Sequence, residues 1–574
     1  MANTKADVLD MFHELSELTI LEEGDPASFR VRAYESAARA VDAYAGDITV
    51  LTAAKLQALE GIGKSSAAKI RELFDTGKVQ KLEDLRKKHP PAIVALLNVP
   101  GLGPKAVNRL RKELGVENMD DLRRVIGEHK LRDLKGFGQK SEDKLAHSLE
   151  RMAKQGTHGR TPISVALPLA ERVLATIKAV PGVRQAAYCG SLRRFSETIG
   201  DLDFLVAADD ATQVMDTVIG LPMVDQVLGR GDTKTSVLTR RGLQIDVRVV
   251  KEEELGAALM YFTGSKAHNV KMRQRALARG LTLNEYALTE IATGKVVAAK
   301  TEEEVYAALG LPWIPPHLRE DTGEIELAEQ NALPGLVPRI LGDFHVHTTV
   351  SGDGKSSLED TVAAARARGV KVLVITEHAE GTVSGVKREV LVEQRARIEA
   401  MQRELGDSMV LLHGVELNIG PAGELDYDAE FRAGFDFCLA SIHDHFDLPR
   451  EAQTQRVVTA MRDPSVRMIG HLTARMIGAR PGVDLDFEAI FAAAEETGTA
   501  LEINGGLPRL DLPVDVVRRG RERNIDFVLS SDAHHTSELD RVENAAKVAE
   551  KAWLPVDKIV NTWEPERLAA WARR

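Results

Sequence analysis

Apolar residues recur at helical spacing through Val8, Leu9, Phe12, Leu15 and Leu18, and residues 1–155 read as mostly helical. One pattern occurs there three times: Leu59-Glu60-Gly61-Ile62-Gly63-Lys64, Val99-Pro100-Gly101-Leu102-Gly103-Pro104-Lys105 and Leu134-Lys135-Gly136-Phe137-Gly138-Gln139-Lys140. Each copy leads into a helix-like stretch rich in Ala, Lys and Arg. Between residues 160 and 258 the pattern changes to strand-like runs such as 185–188, 202–206 and 244–250. Residues 259–318 are mixed. A stretch rich in proline and acids, from Leu311 to Pro338, reads as a linker. Beyond it, strand-like runs at 370–375, 409–412, 500–503 and 527–529 alternate with helical patterns, which predicts an α/β domain of barrel type.

Composition narrows the class. A chain of 574 residues predicts several domains. Apolar residues make up 44% and charged residues 28%, the balance of a soluble globular protein. Two cysteines, Cys189 and Cys438, exclude a disulfide framework or a cysteine-based zinc finger. No apolar run reaches the roughly 18 residues of a membrane span, and the first ten residues lack a signal pattern. The expected compartment is therefore the cytoplasm. The net charge of −11 is unevenly spread. Residues 1–160 hold 27 basic against 24 acidic residues, whereas residues 339–574 hold 29 against 39. A DNA backbone suits the first part and a cation site the last.

A Gly-x-Gly turn between short helices leaves amide N–H groups at a helix start, free to hold a phosphate. The three loops resemble helix-hairpin-helix motifs, which bind DNA backbone without reading sequence. Gly61, Gly63 and Lys64, then Gly101, Gly103 and Lys105, then Gly136, Gly138 and Lys140 are the expected DNA contacts.

Gly190-Ser191-Leu192-Arg193-Arg194 follows a strand-like run, and Gly200-Asp201-Leu202-Asp203 opens the next. Alternate residues of a strand share a face, so Asp201 and Asp203 stand side by side, with Asp246 on a neighbouring strand. Three such acids call for cations, and carboxylates with phosphates favour Mg²⁺. Two ions would activate a primer hydroxyl and stabilise leaving pyrophosphate. Ser191 and Arg194 would hold the triphosphate, and Gly190 would let the backbone approach it. This spacing resembles the family X DNA polymerases of gap-filling repair. The resemblance implies a sugar-binding turn at Tyr261, Phe262 and Gly264, a nucleotide contact at Asn269 and a template contact at Arg273. It also implies DNA-end binding by the N-terminal helices, with Lys69 as a candidate Schiff-base lysine for removing 5′-deoxyribose phosphate. Ser65 and Arg30 stand where the eukaryotic repair enzyme has lysines.

Nine of the 16 histidines fall in the last 236 residues. Acids and imidazoles sit at successive strand ends: His345, His347, Asp353, His378, Glu416, His443, His471, Asp532 and His534. Such sets ligate Zn²⁺, Mn²⁺ or Fe²⁺. Their order resembles the polymerase-and-histidinol-phosphatase (PHP) domain, a distorted (β/α)7 barrel holding three metals. The resemblance implies one ion at His345, His347, Glu416 and Asp532, a second at Glu416, His443 and His471, and a third at Asp353, His378 and His534. It also offers Arg475 to a phosphate. Glu377 replaces the aspartate usual before the motif's histidine, and His471-Leu472-Thr473-Ala474-Arg475 replaces His-Pro-Thr-Gly-Arg.

The chain is thus expected to comprise a helical DNA-end-binding domain (1–85), a second helix-hairpin-helix subdomain (86–158), an α+β nucleotidyltransferase palm (159–258), a thumb-like subdomain (259–318), a linker (319–338) and a PHP barrel (339–574). The expected function is gap-filling DNA synthesis with Mg²⁺ or Mn²⁺ and dNTPs. It is joined to hydrolysis at DNA 3′ ends, as exonuclease, 3′-phosphatase or abasic-site endonuclease, by a monomer without a membrane partner. A template-independent nucleotidyltransferase and a non-catalytic end-binding scaffold are the rivals.

Overall fold

The computed structural model describes residues 5–573 apart from 26–27, 45–47, 60, 100–101, 133, 135–136, 140, 144, 147–148, 150–159, 334–335 and 383. Gly101, Gly136 and Lys140 of the hairpin pattern therefore lie outside the described residues. The chain forms two units. One holds Met1–Thr161, Glu171–Tyr188 and Gly200–Glu252; the other holds Pro162–Ala170, Cys189–Ile199 and Glu253–Arg574.

In the first unit the stripe Val8, Phe12, Leu15 and Leu18 is buried along the helix Lys5–Glu23. Each such side chain contributes about 1.5–3 kcal/mol by leaving water. The expected boundary at 85/86 does not separate two cores. One apolar cluster runs from Val8 through Leu85 and Ile93 to Leu149. Arg86 also binds Glu14 at 2.6 Å, tying the second hairpin segment to the first helix. A five-stranded sheet follows. Its strands are β1 (Val183–Tyr188), β2 (Asp201–Ala208), β3 (Val224–Arg230), β4 (Lys234–Thr239) and β5 (Gln244–Val250). Their order is β1-β2-β5-β4-β3, with β2 and β5 parallel at the centre and the other pairs antiparallel.

In the second unit, strands β6 (Leu281–Leu283), β7 (Leu288–Glu290) and β8 (Val296–Ala298) form a small antiparallel sheet. The expected linker is in large part not one. Arg319 is fully buried, a helix spans Glu324–Glu329, and Ile325 and Ala328 join the core of Met272, Val305, Tyr306 and Leu318. The partners of its acids are not visible in sequence. Glu324 accepts from His268 at 2.7 Å, and Glu320 accepts from Arg194 at 2.9 Å.

Glu302 is buried between the guanidinium groups of Arg193 and Arg319, at 2.8 and 2.6 Å. Burial favours its protonated form, but the two arginines outweigh that and hold its carboxyl down to about 2. Its depressed value means the stability it adds is complete above the ordinary carboxyl range and is lost as pH falls from about 4.5 to about 2. Glu302→Gln is expected to destabilise this unit at pH 7 by about 3–5 kcal/mol, because two buried cations lose their partner. Urea unfolding at pH 7 and pH 3 checks it: the penalty must shrink at the lower pH.

Seven parallel strands come next: β9 (Gly342–Asp343), β10 (Val372–His378), β11 (Val410–Asn418), β12 (Phe437–Ser441), β13 (Val466–Gly470), β14 (Ala500–Asn504) and β15 (Phe527–Ser530). They pair in chain order, and a parallel bridge between Val346 and Ala533 brings the last edge to the first. This is a seven-stranded α/β barrel, as the alternating pattern predicts. Strands β10, β12, β14 and β15 are buried along their whole length, since helices or barrel core cover both faces. Among the described residues no helix is long and apolar enough to cross a membrane.

Candidate functional site

The barrel carries its acids and imidazoles at the C-terminal ends of its strands, where loops from many strands converge. His345 and His347 follow β9, His378 ends β10, Glu416 lies in β11, His443 follows β12, His471 follows β13, and Asp532 and His534 follow β15. Asp532 adopts φ 50°, a left-handed conformation that is uncommon outside glycine and gathers at functional sites.

All nine expected ligands come together, centred on Glu416. Its Oε2 lies 3.4 Å from His345 Nε2 and 3.6 Å from His347 Nε2, and both nitrogens lie within 3.5 Å of Asp532 Oδ1. Its Oε1 lies 3.2 Å from His443 Nε2 and 3.0 Å from His471 Nε2. Asp353 Oδ2 lies 3.3 Å from His378 Nε2 and 3.5 Å from His534 Nε2. His378 also reaches Glu416 Oε2 through Nδ1, at 2.8 Å.

The donor set fits cations. Both Glu416 oxygens and the Nε2 atoms of His345, His347 and His443 are buried without a hydrogen-bond partner. Each such atom costs about 1–3 kcal/mol unless something satisfies it. Burial and neighbouring His378 push His347 down to about 3, and burial with Arg509 pushes His471 to about 4, which suits neutral ligands. At His345, His378 and His534 burial is outweighed by the surrounding carboxylates, which raise imidazoles whose protons a bound cation would displace. Burial raises the Glu416 carboxyl, but His345, His443 and His378 outweigh it and hold it well below its ordinary value.

The palm face is more open. The parallel register sets Asp203 opposite Asp246 and Asp201 opposite Gln244, so the three carboxylates share one face. Asp201 is exposed, while Asp203 and Asp246 are half-buried. Lys234 sits 3.1 Å from Asp246, and Gln244 donates to the same carboxylate at 2.9 Å. Burial opposes ionisation of Asp246, yet Ser236, Gln244 and Lys234 hold it below its ordinary value. Among the described residues, the groups tight enough to enclose one ion all lie in the barrel, so these carboxylates share a face rather than converge on a point.

In the second unit Gly190 takes φ 60°, which permits the turn into the short helix Gly190–Arg193 bearing Ser191. Arg194 donates to Glu320 and, at 2.5 Å, to the Thr263 carbonyl. Tyr261 packs edge-on against Phe262 at 5.1 Å, and Gly264 takes φ 70° before the helix Lys266–Leu277. Tyr261, Asn269 and Arg273 line one cleft, and Asn269 is oriented by donating to the Tyr261 carbonyl at 2.7 Å.

Four family models match the chain: a helix-hairpin-helix domain over residues 3–79, a SAM-like helix-hairpin-helix tandem over 93–151, the DNA polymerase beta thumb over 258–320 and the PHP domain over 343–505. The chain is 34% identical over 574 residues to the DNA polymerase/3′-5′ exonuclease PolX of Bacillus subtilis (strain 168), covering 99% of each chain. It belongs to the bacterial family X DNA polymerases that carry a PHP domain. Two other relatives each match part of this family X polymerase. DNA polymerase lambda of Rattus norvegicus is 26% identical over 293 residues, 46% of this chain and 48% of that protein. A probable phosphatase of Shewanella sediminis (strain HAW-EB3) is 28% identical over 239 residues, 40% of this chain and 92% of that protein.

Three groups of the polymerase's barrel went unread in the sequence. Glu502 is fully buried, accepts from His345 Nδ1 at 2.6 Å and so orients that ring. Asp343 accepts from the Ser531 amide beside Asp532. Arg509 Nε lies 3.6 Å from Asp532 Oδ2, and its Nη1 is buried without a partner. The Arg475 donors, by contrast, are occupied. They go to Glu197 at 2.8 and 3.1 Å and to the carbonyls of Arg509 and Leu510. Glu502 and Asp343 resembled ordinary strand acids; only Asp343, two residues before His345, had a positional signal.

The hairpin loops of the polymerase divide by reason. Gly61 takes φ 92° and packs on Ser36, so glycine is needed for the fold itself. Gly63 and Gly103 take ordinary negative φ at the starts of the helices Lys64–Thr76 and Pro104–Leu114, with no side-chain cap, and a Cβ there, as at Gly138, would meet nothing within 4 Å. Their fold tolerates a side chain; an approaching phosphate would not. Gly103→Val is therefore expected to leave the melting temperature unchanged. It should weaken binding to gapped DNA several-fold, alike on unrelated sequences. A loss confined to one sequence contradicts backbone recognition.

Proposed function

We propose that this family X polymerase fills short gaps in DNA and trims 3′ ends at its barrel. Asp201, Asp203 and Asp246 are the ligands for Mg²⁺ or Mn²⁺, which when bound activate the primer hydroxyl and stabilise the leaving pyrophosphate. Ser191 and Arg194 take the dNTP triphosphate, with Arg194 exchanging Glu320 for phosphate. Tyr261, Phe262, Gly264 and Asn269 hold the nucleotide, and Arg273 contacts the template. The Gly63, Gly103 and Gly138 turns, with Lys64 and Lys105, hold DNA backbone.

In the barrel the nine ligands hold up to three ions of Zn²⁺, Mn²⁺ or Fe²⁺, which when bound lower the pKa of a water and polarise a phosphoester. Glu416 would serve two of the positions, Glu502 orients His345, and Arg509 would balance phosphate charge. The observation that carries the reading is the convergence of unpartnered buried ligand atoms on both oxygens of Glu416. The same chemistry serves 3′→5′ exonuclease, 3′-phosphatase or abasic-site cleavage. Purified protein on one-nucleotide-gapped DNA with Mg²⁺ or Mn²⁺, scored for extension and degradation together, tests it. Extension without a template, or neither activity, overturns it.

A second activity is favoured by one observation. Lys69 donates to Ser65 Oγ at 2.7 Å and lies 5.5 Å from the Tyr34 ring centroid, and burial lowers its ammonium from the ordinary lysine value. A lysine that gives up its proton more easily is a better Schiff-base nucleophile. Borohydride is expected to trap the protein on 5′-deoxyribose phosphate DNA, and Lys69→Ala to remove that adduct. An undiminished adduct sinks the assignment.

A further inference from the structure

The loop Cys189–Ile199 belongs to the same unit as the barrel. The helix Val542–Lys551 of the barrel domain reaches it. Lys551, the last residue of that helix, donates from Nζ to the carbonyls of Arg194 at 3.0 Å and Phe195 at 3.3 Å. One helical turn earlier, Lys547 stands 4.8 Å from the Phe195 ring centroid. Phe195 is buried and takes φ 54°, a left-handed conformation that a phenylalanine holds only when its surroundings impose it. Two residues on, Glu197 is paired with Arg475 of the barrel. The neighbouring Glu550 binds His317 at 2.6 Å and the Val337 amide at 2.8 Å, fastening the chain that enters the barrel to the same helix.

We propose that Lys551 is a positioning residue for nucleotide addition: its ammonium pins the Arg194 and Phe195 carbonyls and so fixes the loop that presents Ser191 and Arg194 to the triphosphate. This rests on the reading that the loop binds the triphosphate. An ammonium is the right group for the task. It carries three donors and no acceptor, so it can bind two successive carbonyls at once, which a neutral apolar side chain cannot do. Burial lowers the ammonium from the ordinary lysine value, and the two carbonyls offset part of the cost of burying it. The domain that hydrolyses 3′ ends therefore supplies part of the scaffold of the domain that extends them. The dependence runs through the backbone of one loop and involves none of the nine barrel ligands.

The test is steady-state nucleotide incorporation on one-nucleotide-gapped DNA by the full-length protein. Lys551→Met keeps the aliphatic stem and removes the donors. It is expected to raise KM for the dNTP roughly tenfold or more, the scale of losing charge-assisted hydrogen bonds, with a smaller change in kcat. On the same preparation, affinity for gapped DNA and 3′-end hydrolysis should stay within about twofold of wild type. Lys551→Arg keeps a cation with several donors and is expected to recover most of the loss. Unchanged KM in Lys551→Met overturns the proposal. So does a parallel loss of 3′-end hydrolysis, which would make Lys551 a general support of the barrel. Arg194→Ala serves as the reference. If it leaves KM unchanged, the loop does not hold the triphosphate and both readings fall; if it raises KM while Lys551→Met does not, only the positioning role falls.

Discussion

Glu416→Gln is expected to cut 3′-end hydrolysis by about 10³-fold or more while nucleotide addition stays near wild type. The carboxylate is central to the cluster. One oxygen faces His345 and His347, and the other faces His443 and His471. Glutamine keeps the volume and one acceptor but turns an N–H₂ donor toward imidazoles that must offer lone pairs, and it removes the negative charge that balances two cations. Two of the three positions should empty together. Metal content by mass spectrometry should fall alongside activity, and the His345→Ala/His347→Ala double variant should lose hydrolysis too. Time courses on gapped DNA, with and without nucleotides, separate the two activities. Degradation at the wild-type rate by Glu416→Gln would remove the barrel from 3′-end chemistry. A His double variant that folds by circular dichroism but cannot extend primers would instead show that nucleotide addition depends on the barrel ligands themselves.

The second large effect is expected in the palm. Asp203→Asn should lower nucleotide addition by about 10³-fold or more, with DNA affinity and 3′-end hydrolysis largely intact. Asp203 faces Asp246 directly across the parallel pair of β2 and β5, so both carboxylates address one space above the sheet. Lys234 stands 3.1 Å from Asp246, so removing a carboxylate from this face leaves an ammonium that disfavours a cation there. Asp201→Ala and Asp246→Ala should follow it. Because incorporation fails while hydrolysis continues, primers incubated with nucleotides should shorten instead of growing. Near-wild-type incorporation by any of the three variants would falsify the assignment of this face.

Much of this was legible along the chain because it rests on local spacing. The period of the first helix placed Val8, Phe12 and Leu15 inside, and strand alternation put Asp201 and Asp203 on one face. Alternating strand-like and helical runs announced an α/β barrel, and ligands that end parallel strands must meet at one mouth, so nine acids and imidazoles far apart in sequence were found together. The repeated hairpin pattern marked helix starts at Gly63 and Gly103.

What the sequence determined by itself, then, was whatever a periodic backbone or a short motif enforces within a few residues. Tertiary structure decided the partners of charges, because a partner can come from any point in the chain. Glu302 took Arg193 and Arg319, Arg475 took Glu197, and Arg509 was left beside Asp532. It turned an acid-rich, proline-rich stretch into packed core by giving Glu324 a buried histidine. It joined the two hairpin segments in one core and brought Lys551 against the carbonyls of the loop that bears Ser191 and Arg194. The physical reason is common to all of these. Periodicity reports which side of an element faces inward, whereas an ion pair or a buried ammonium is fixed by what the fold brings opposite, and removal from water makes that choice energetically decisive.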